Sequence, residues 1–219
     1  SFVRTFCNRW KVRVHPGGSR WRKRNCGSGF MRPHPEMTAA INYFPVGFGD
    51  LGAKIVSDHF INGVKEIDGV KVTCFPTNHP GGCHAYVFEK DQRKITYLTD
   101  NELDVHPGDK FPDPNHTGPL RQVPPETVEA VYGSDLLICD AHYDDEAYRQ
   151  RVGWEHSSAY TVTDFAIQAK VGGLALFHHD LGASDEDVDE KVENCCARAA
   201  KRDSPVIVFA AREGVELKI

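Results

Sequence analysis

The chain has 219 residues, 40% of them hydrophobic, and a formal net charge of -5 at pH 7. That length buries a sizeable core and fits one globular domain, and no apolar run approaches the roughly 20 residues that span a bilayer. Seven cysteines without a CxxC spacing argue against a disulfide framework or zinc finger. They point instead to reduced thiols in an intracellular, cytoplasmic setting.

The amino-terminal part is basic. Arg4, Arg9, Lys11, Arg13, Arg20, Arg22, Lys23, Arg24 and Arg32 precede the first acid, Glu36. Three readings stay open for residues 4–32: a patch facing phosphate or nucleic acid, an organellar transit segment, or a plain solvated edge. Residues 9–15 alternate like a strand. Residues 16–50 are rich in Gly and Pro without periodicity, so 1–50 reads as a basic irregular insert or lid, and 51–219 as the folded portion of a single domain. Residues 53–56 could form a short strand.

The pattern then sharpens. Asp68-Gly69 between alternating runs predicts a β-hairpin. Residues 72–75, 85–89 and 94–98 are rich in β-branched and aromatic residues and predict three strands, the last two paired around Asp91-Gln92. That pairing sets Asp100 opposite Cys83 and brings it near His79, where strands end. Residues 101–124 are irregular and contain His106 and His116.

From residue 125 the chain alternates between helices and strands. A short helix is predicted over 125–132, ended by Gly133. The apolar run 135–140 predicts a buried strand closing on Asp140. Ser157 or Ser158 caps a helix with Ala159, Val162, Ala166 and Ala169 on its apolar face. Residues 174–177 predict a second buried strand, running into His178-His179-Asp180. Ser184 and Asp187 form a capping box for a helix with a Val188, Val192, Cys195, Ala199 stripe. Residues 206–210 and 215–219 predict closing strands. Hairpins followed by β/α units define an α/β (α+β layered) class, with mixed sheets and flanking helices.

Ionisable residues recur where buried strands end: His79, Asp100, Asp140 and His178. Such positions tend to share a cleft, and His with Asp suits zinc, manganese or iron. Singly, Asp140 could cap a helix, His79 could be a turn residue before proline, and His178-His179 could be a surface pair.

The blocks TNHPGG, TYLTDNE, LLICDAHYDDEAY, GWEHSS and LALFHHD resemble, in order and spacing, the metallo-β-lactamase-fold hydrolases. Their nearest likeness is to the branch with RNase Z and the cyclic-nucleotide phosphodiesterases, from about residue 50 to 219. The resemblance implies part of a four-layer αββα sandwich and a divalent-metal hydrolase, with zinc the first expectation, manganese or iron the alternatives, and two ions in intact relatives. It implies His79, Asp100 (bridging) and His178 as metal ligands, with His179 the adjacent alternative. It implies His156 as proton donor to the leaving oxygen, oriented by Asp140. The substrate would be a phosphodiester, either a cyclic nucleotide or RNA, and a homodimer is possible. The family's HxHxDH segment does not occur in this chain. The resemblance therefore implies an N-terminally incomplete domain with weak activity or none, the alternative being a degenerate, non-catalytic domain that binds a nucleotide, RNA or a protein.

Overall fold

A computed structural model describes residues 60, 62–79, 82–103 and 120–219. The readings made for residues 1–50 and 53–56, and for most of 101–124, lie outside them. The described residues form one seven-stranded sheet in the order β1 to β7. Its strands are β1 (Gly63–Ile67), β2 (Val70–Pro76), β3 (His84–Lys90), β4 (Arg93–Leu98), β5 (Leu136–Asp140), β6 (Gly173–Phe177) and β7 (Ile207–Ala210). The helices are α1 (Pro125–Val131), α2 (Asp145–Arg149), α3 (Ala159–Gln168) and α4 (Asp185–Ala200).

The sheet has two halves, each explained by local sequence. Strands β1 to β4 are an antiparallel meander. Asp68 and Gly69 both take positive φ, at 51° and 75°, and so do Asp91 and Gln92, at 49° and 63°. Two consecutive positive φ values give the tight turn whose twist matches a hairpin. From β4 to β7 the pairing is parallel. Parallel strands need crossovers, and the helical segments supply them.

All five β5 residues are buried. Leu137, Cys139, Leu174 and Leu176 share a hydrophobic cluster with Val162, Phe165 and Ala166 of α3 and with Cys195 and Ala199 of α4. Ser158 caps α3 by accepting from Thr161 N, and Ser184 with Asp187 closes the expected capping box on α4. Burial of this face is the main source of stability, since helix propensity alone holds such short helices weakly. No described helix is long and apolar enough to cross a membrane.

One expected element is absent. Residues 215–219 are not a strand. Their alternation is real, but Val215, Leu217 and Ile219 remain 43%, 43% and 42% exposed. A strand exists only through a partner's ladder, and Gly214, at φ 77°, turns the chain before residue 215. The mixed sheet with flanking helices matches the expected class; the described residues contain one sheet of the expected sandwich.

Candidate metal centre

The ends of five strands meet at one edge of the sheet. Pro76 pairs with His84, Leu98 with Cys139, and Asp140 with Phe177, so the residues just beyond them are neighbours by register. The connection after β2 is laced to the one after β4. Asn78 N donates to Asn101 Oδ1 at 2.7 Å, Asn78 Nδ2 to Glu102 O at 2.9 Å, and Thr77 Oγ1 to Asp100 O at 3.0 Å. Glu102 N returns a bond to Asn78 O at 3.1 Å. These bonds fix His79 beside Asp100.

Among the described residues two groups of donor atoms result. Asp140, His142, His156 and His178 each offer an atom within 4.8 Å of the others, and His79, Cys83 and Asp100 form a second such set. His178 joins the two: its Nδ1 lies 3.3 Å from Asp100 Oδ1 and 3.7 Å from Asp140 Oδ2. That nitrogen is buried yet aligned with neither carboxylate for a hydrogen bond. An imidazole nitrogen held between two carboxylates without a hydrogen bond fits a divalent ion, by donor type and by its unmet need for a partner.

The backbone is strained where the donors sit. Asp100, Glu155 and His178 are left-handed, at φ 47°, 76° and 58°. Each non-glycine residue held there costs on the order of 1 kcal/mol, and such positions cluster at functional sites.

Asp140 is wholly buried. It accepts from His142 N at 3.1 Å and Asn101 N at 3.3 Å, and its Oδ2 lies 2.7 Å from His156 Nδ1. Burial pushes this carboxyl upward, but the hydrogen bond from His156 and the nearby charge of His156 and His178 outweigh it and hold it below the usual range. The same bond to Asp140 raises His156 against the opposing pull of burial. The pair is set as an oriented imidazole whose hold on a proton is strengthened.

His79, Asp100, His178, Asp140 and His156 thus lie together. His179 is not part of either donor set: its ring nitrogens are buried without a well-formed hydrogen bond. The sequence reading did not single out His142, whose ring stacks on His156 with centroids 4.7 Å apart and whose Nδ1 lies 2.7 Å from His178 O. It also passed over Glu155, with Oε2 3.0 Å from His79 Nε2, and Glu102, which organises the 150–156 loop. His142 stands two residues beyond Asp140 at a strand end, the one signal that could have found it. A recess of about 740 Å³ opens beside His142, lined also by Tyr143, Arg151, Asp180 and Lys191.

No protein-family model matches the chain, and no curated protein matches it significantly. Solved structures do. The Zn(2+)-bound PqqB from Methylobacterium extorquens aligns with TM-score 0.51 and 16% identity, over 84% of this chain and 60% of its own. A diphosphatase from the PhnP family aligns with TM-score 0.50 and 18% identity, over 78% and 52%. The metallo-β-lactamase-fold protein YhfI from Bacillus subtilis aligns with TM-score 0.48 and 15% identity, over 70% and 51%. The likeness to PqqB and to the PhnP-family diphosphatase supports the mixed α/β fold with flanking helices. This chain spans between about half and three-fifths of the length of these three structures.

Proposed function

We propose that this chain is a metal-dependent hydrolase acting on a phosphodiester. The observation that carries this reading is the His156–Asp140 pair, 2.7 Å apart, beside the His178–Asp100 contact. His79, Asp100 and His178 would hold the divalent ion, zinc first by donor type, with manganese or iron served by the same donors. Bound there, the ion would supply Lewis acidity and an activated water. The remaining work falls to this chain's own side chains. Asp140 holds the His156 imidazole in one orientation and keeps it protonated. His156 then gives its proton to the departing alcohol oxygen. The likeness to a diphosphatase of the PhnP family supports a phosphorus ester over a lactam or thioester, and the recess beside His142 offers room for one.

The test is metal content of the purified chain by plasma mass spectrometry, together with turnover of bis(p-nitrophenyl) phosphate. Bound divalent metal, slow metal-dependent turnover, metal loss in His79→Ala, and turnover loss with metal retained in His156→Ala are expected. A chain that takes up no divalent metal under any loading condition would sink the proposal.

A further inference from the structure

We propose that Cys83 is a further metal ligand, a thiolate that joins His79 and Asp100 on one ion. The inference rests on the metal-dependent reading above and extends it to a residue that reading leaves aside.

The donors are built into the sheet edge. Cys83 precedes β3, and continuing the β3–β4 register from the Tyr86–Tyr97 pair sets it opposite Asp100. Two backbone bonds tie the described residues here together: Thr77 N donates to Cys83 O at 3.0 Å, and Gly82 N to His79 O at 2.9 Å. Gly82 takes φ 76°, which a residue with a side chain adopts at a cost. These bonds hold His79 and Cys83 beside Asp100, with all three donor atoms within 4.8 Å.

The spacing suits a thiolate ligand. Bonds of about 2.3 Å to sulfur and about 2.0 Å to oxygen, at a tetrahedral angle, put the two donors about 3.5 Å apart. The Cys83 thiol donates to Asp100 Oδ2 at 3.5 Å, the separation that two such ligands would keep. Cys139 and Cys195 are buried in the hydrophobic cluster, as structural thiols are, Cys74 is buried and donates to Phe60 O, and Cys196 is exposed; Cys83 is half-buried beside a carboxylate and near an imidazole. On binding, the Sγ–H proton leaves to solvent as the sulfur–metal bond forms, so each bound ion releases one proton from this residue. A soft sulfur donor favours zinc, cobalt or cadmium over manganese and magnesium.

The experiment is titration of the metal-free chain with Co(II), read by absorption. Thiolate ligation gives a charge-transfer band in the near ultraviolet, and tetrahedral cobalt gives visible ligand-field bands whatever its donors. We expect both in the parent chain and in Cys196→Ala. In Cys83→Ser and Cys83→Ala only the visible bands should remain, with zinc affinity down about 10-fold or more. Visible bands without a thiolate band in the parent chain, or a thiolate band that survives in both Cys83 variants, would overturn the assignment and leave the metal site standing. No cobalt spectrum at all, with no cobalt retained on dialysis, would overturn the metal-dependent reading itself, and this assignment with it.

Discussion

His156 Nδ1 lies 2.7 Å from Asp140 Oδ2, and that carboxylate is fully buried at the end of the central parallel strand. The bond raises the histidine and so makes folding sensitive to pH in the metal-free chain. In the unfolded chain the imidazole titrates near about 6.5. Folded, it holds its proton to higher pH. The stabilisation is therefore complete below about 6.5 and is lost as pH rises through the folded value. His156→Gln is expected to cost about 2 kcal/mol at pH 6, as for a hydrogen bond to a charged group, and less at pH 9. Urea denaturation of both chains at the two pH values checks this, and an equal cost at both would show that the pair is not ionised.

Glu102 acts one shell out. It is 5% exposed and accepts three bonds: from Tyr148 Oη at 2.6 Å, Gly153 N at 2.7 Å and Glu155 N at 3.0 Å. Those bonds shape the loop that delivers Glu155 and His156. Glu102→Ala leaves a phenol and two amides without acceptors and is expected to cost on the order of 3 kcal/mol, against about 1 kcal/mol for Tyr148→Phe. Amide exchange at Gly153 and Glu155 should quicken in Glu102→Ala while β5 amides keep their protection. Unchanged exchange in the loop would remove Glu102 from this role.

The part of this architecture that could be read in the sequence is the part written locally. Asp68-Gly69 and Asp91-Gln92 mark hairpins because two adjacent positive φ values are a backbone demand met by few residues. Ser184 and Asp187 announce a helix start because both halves of a capping box lie within one turn. His79, Asp100, Asp140 and His178 stand out because each follows a run that could only be a strand. What could not be read depends on partners far apart in the chain. Lys191 and Arg198 look like the polar side of α4, yet they are 8% and 3% exposed, because Lys191 donates to Ala141 O and His142 O and Arg198 meets Asp164. Residues 215–219 alternate as a strand would, and no local pattern states whether a neighbouring strand exists.

Asp164 organises the helix layer. It is fully buried, and both its oxygens accept from Arg198, at 2.8 and 2.7 Å. Its Oδ2 also accepts from Arg121 N at 2.8 Å, and Arg202 Nε lies 3.8 Å from Oδ1. Removing the acid alone strands a buried guanidinium, so Asp164→Ala should cost about 3–5 kcal/mol. Replacing both members, Asp164→Leu with Arg198→Met, should cost much less, because it removes both desolvated charges together. Comparable costs for the single and double variants in chemical denaturation would count against this account.

His179 carries the opposite pH dependence from His156. Burial, aided by the nearby Lys191 ammonium, pushes its imidazole down from 6.5 to about 4. Between those values the unfolded chain binds a proton that the folded chain refuses. Stability is therefore intact above about 6.5, falls as pH drops toward 4, and falls no further on this account below it. The full shift corresponds to about 3 kcal/mol, and partial solvation of the site should leave about 2 kcal/mol. His179→Phe, which keeps a ring without the titration, should flatten the decline between pH 6.5 and 4. His156→Gln should instead lower this whole stretch by a nearly constant amount, because the stabilisation it removes is already complete below about 6.5. The two histidines lie near the same sheet edge, and their variants are expected to move one curve in opposite directions. Denaturation midpoints of the metal-free parent and both variants at pH 4.5, 5.5, 6.5 and 7.5 decide it. If His179→Phe declined as steeply as the parent, the buried neutral imidazole would not be the source of the acid sensitivity.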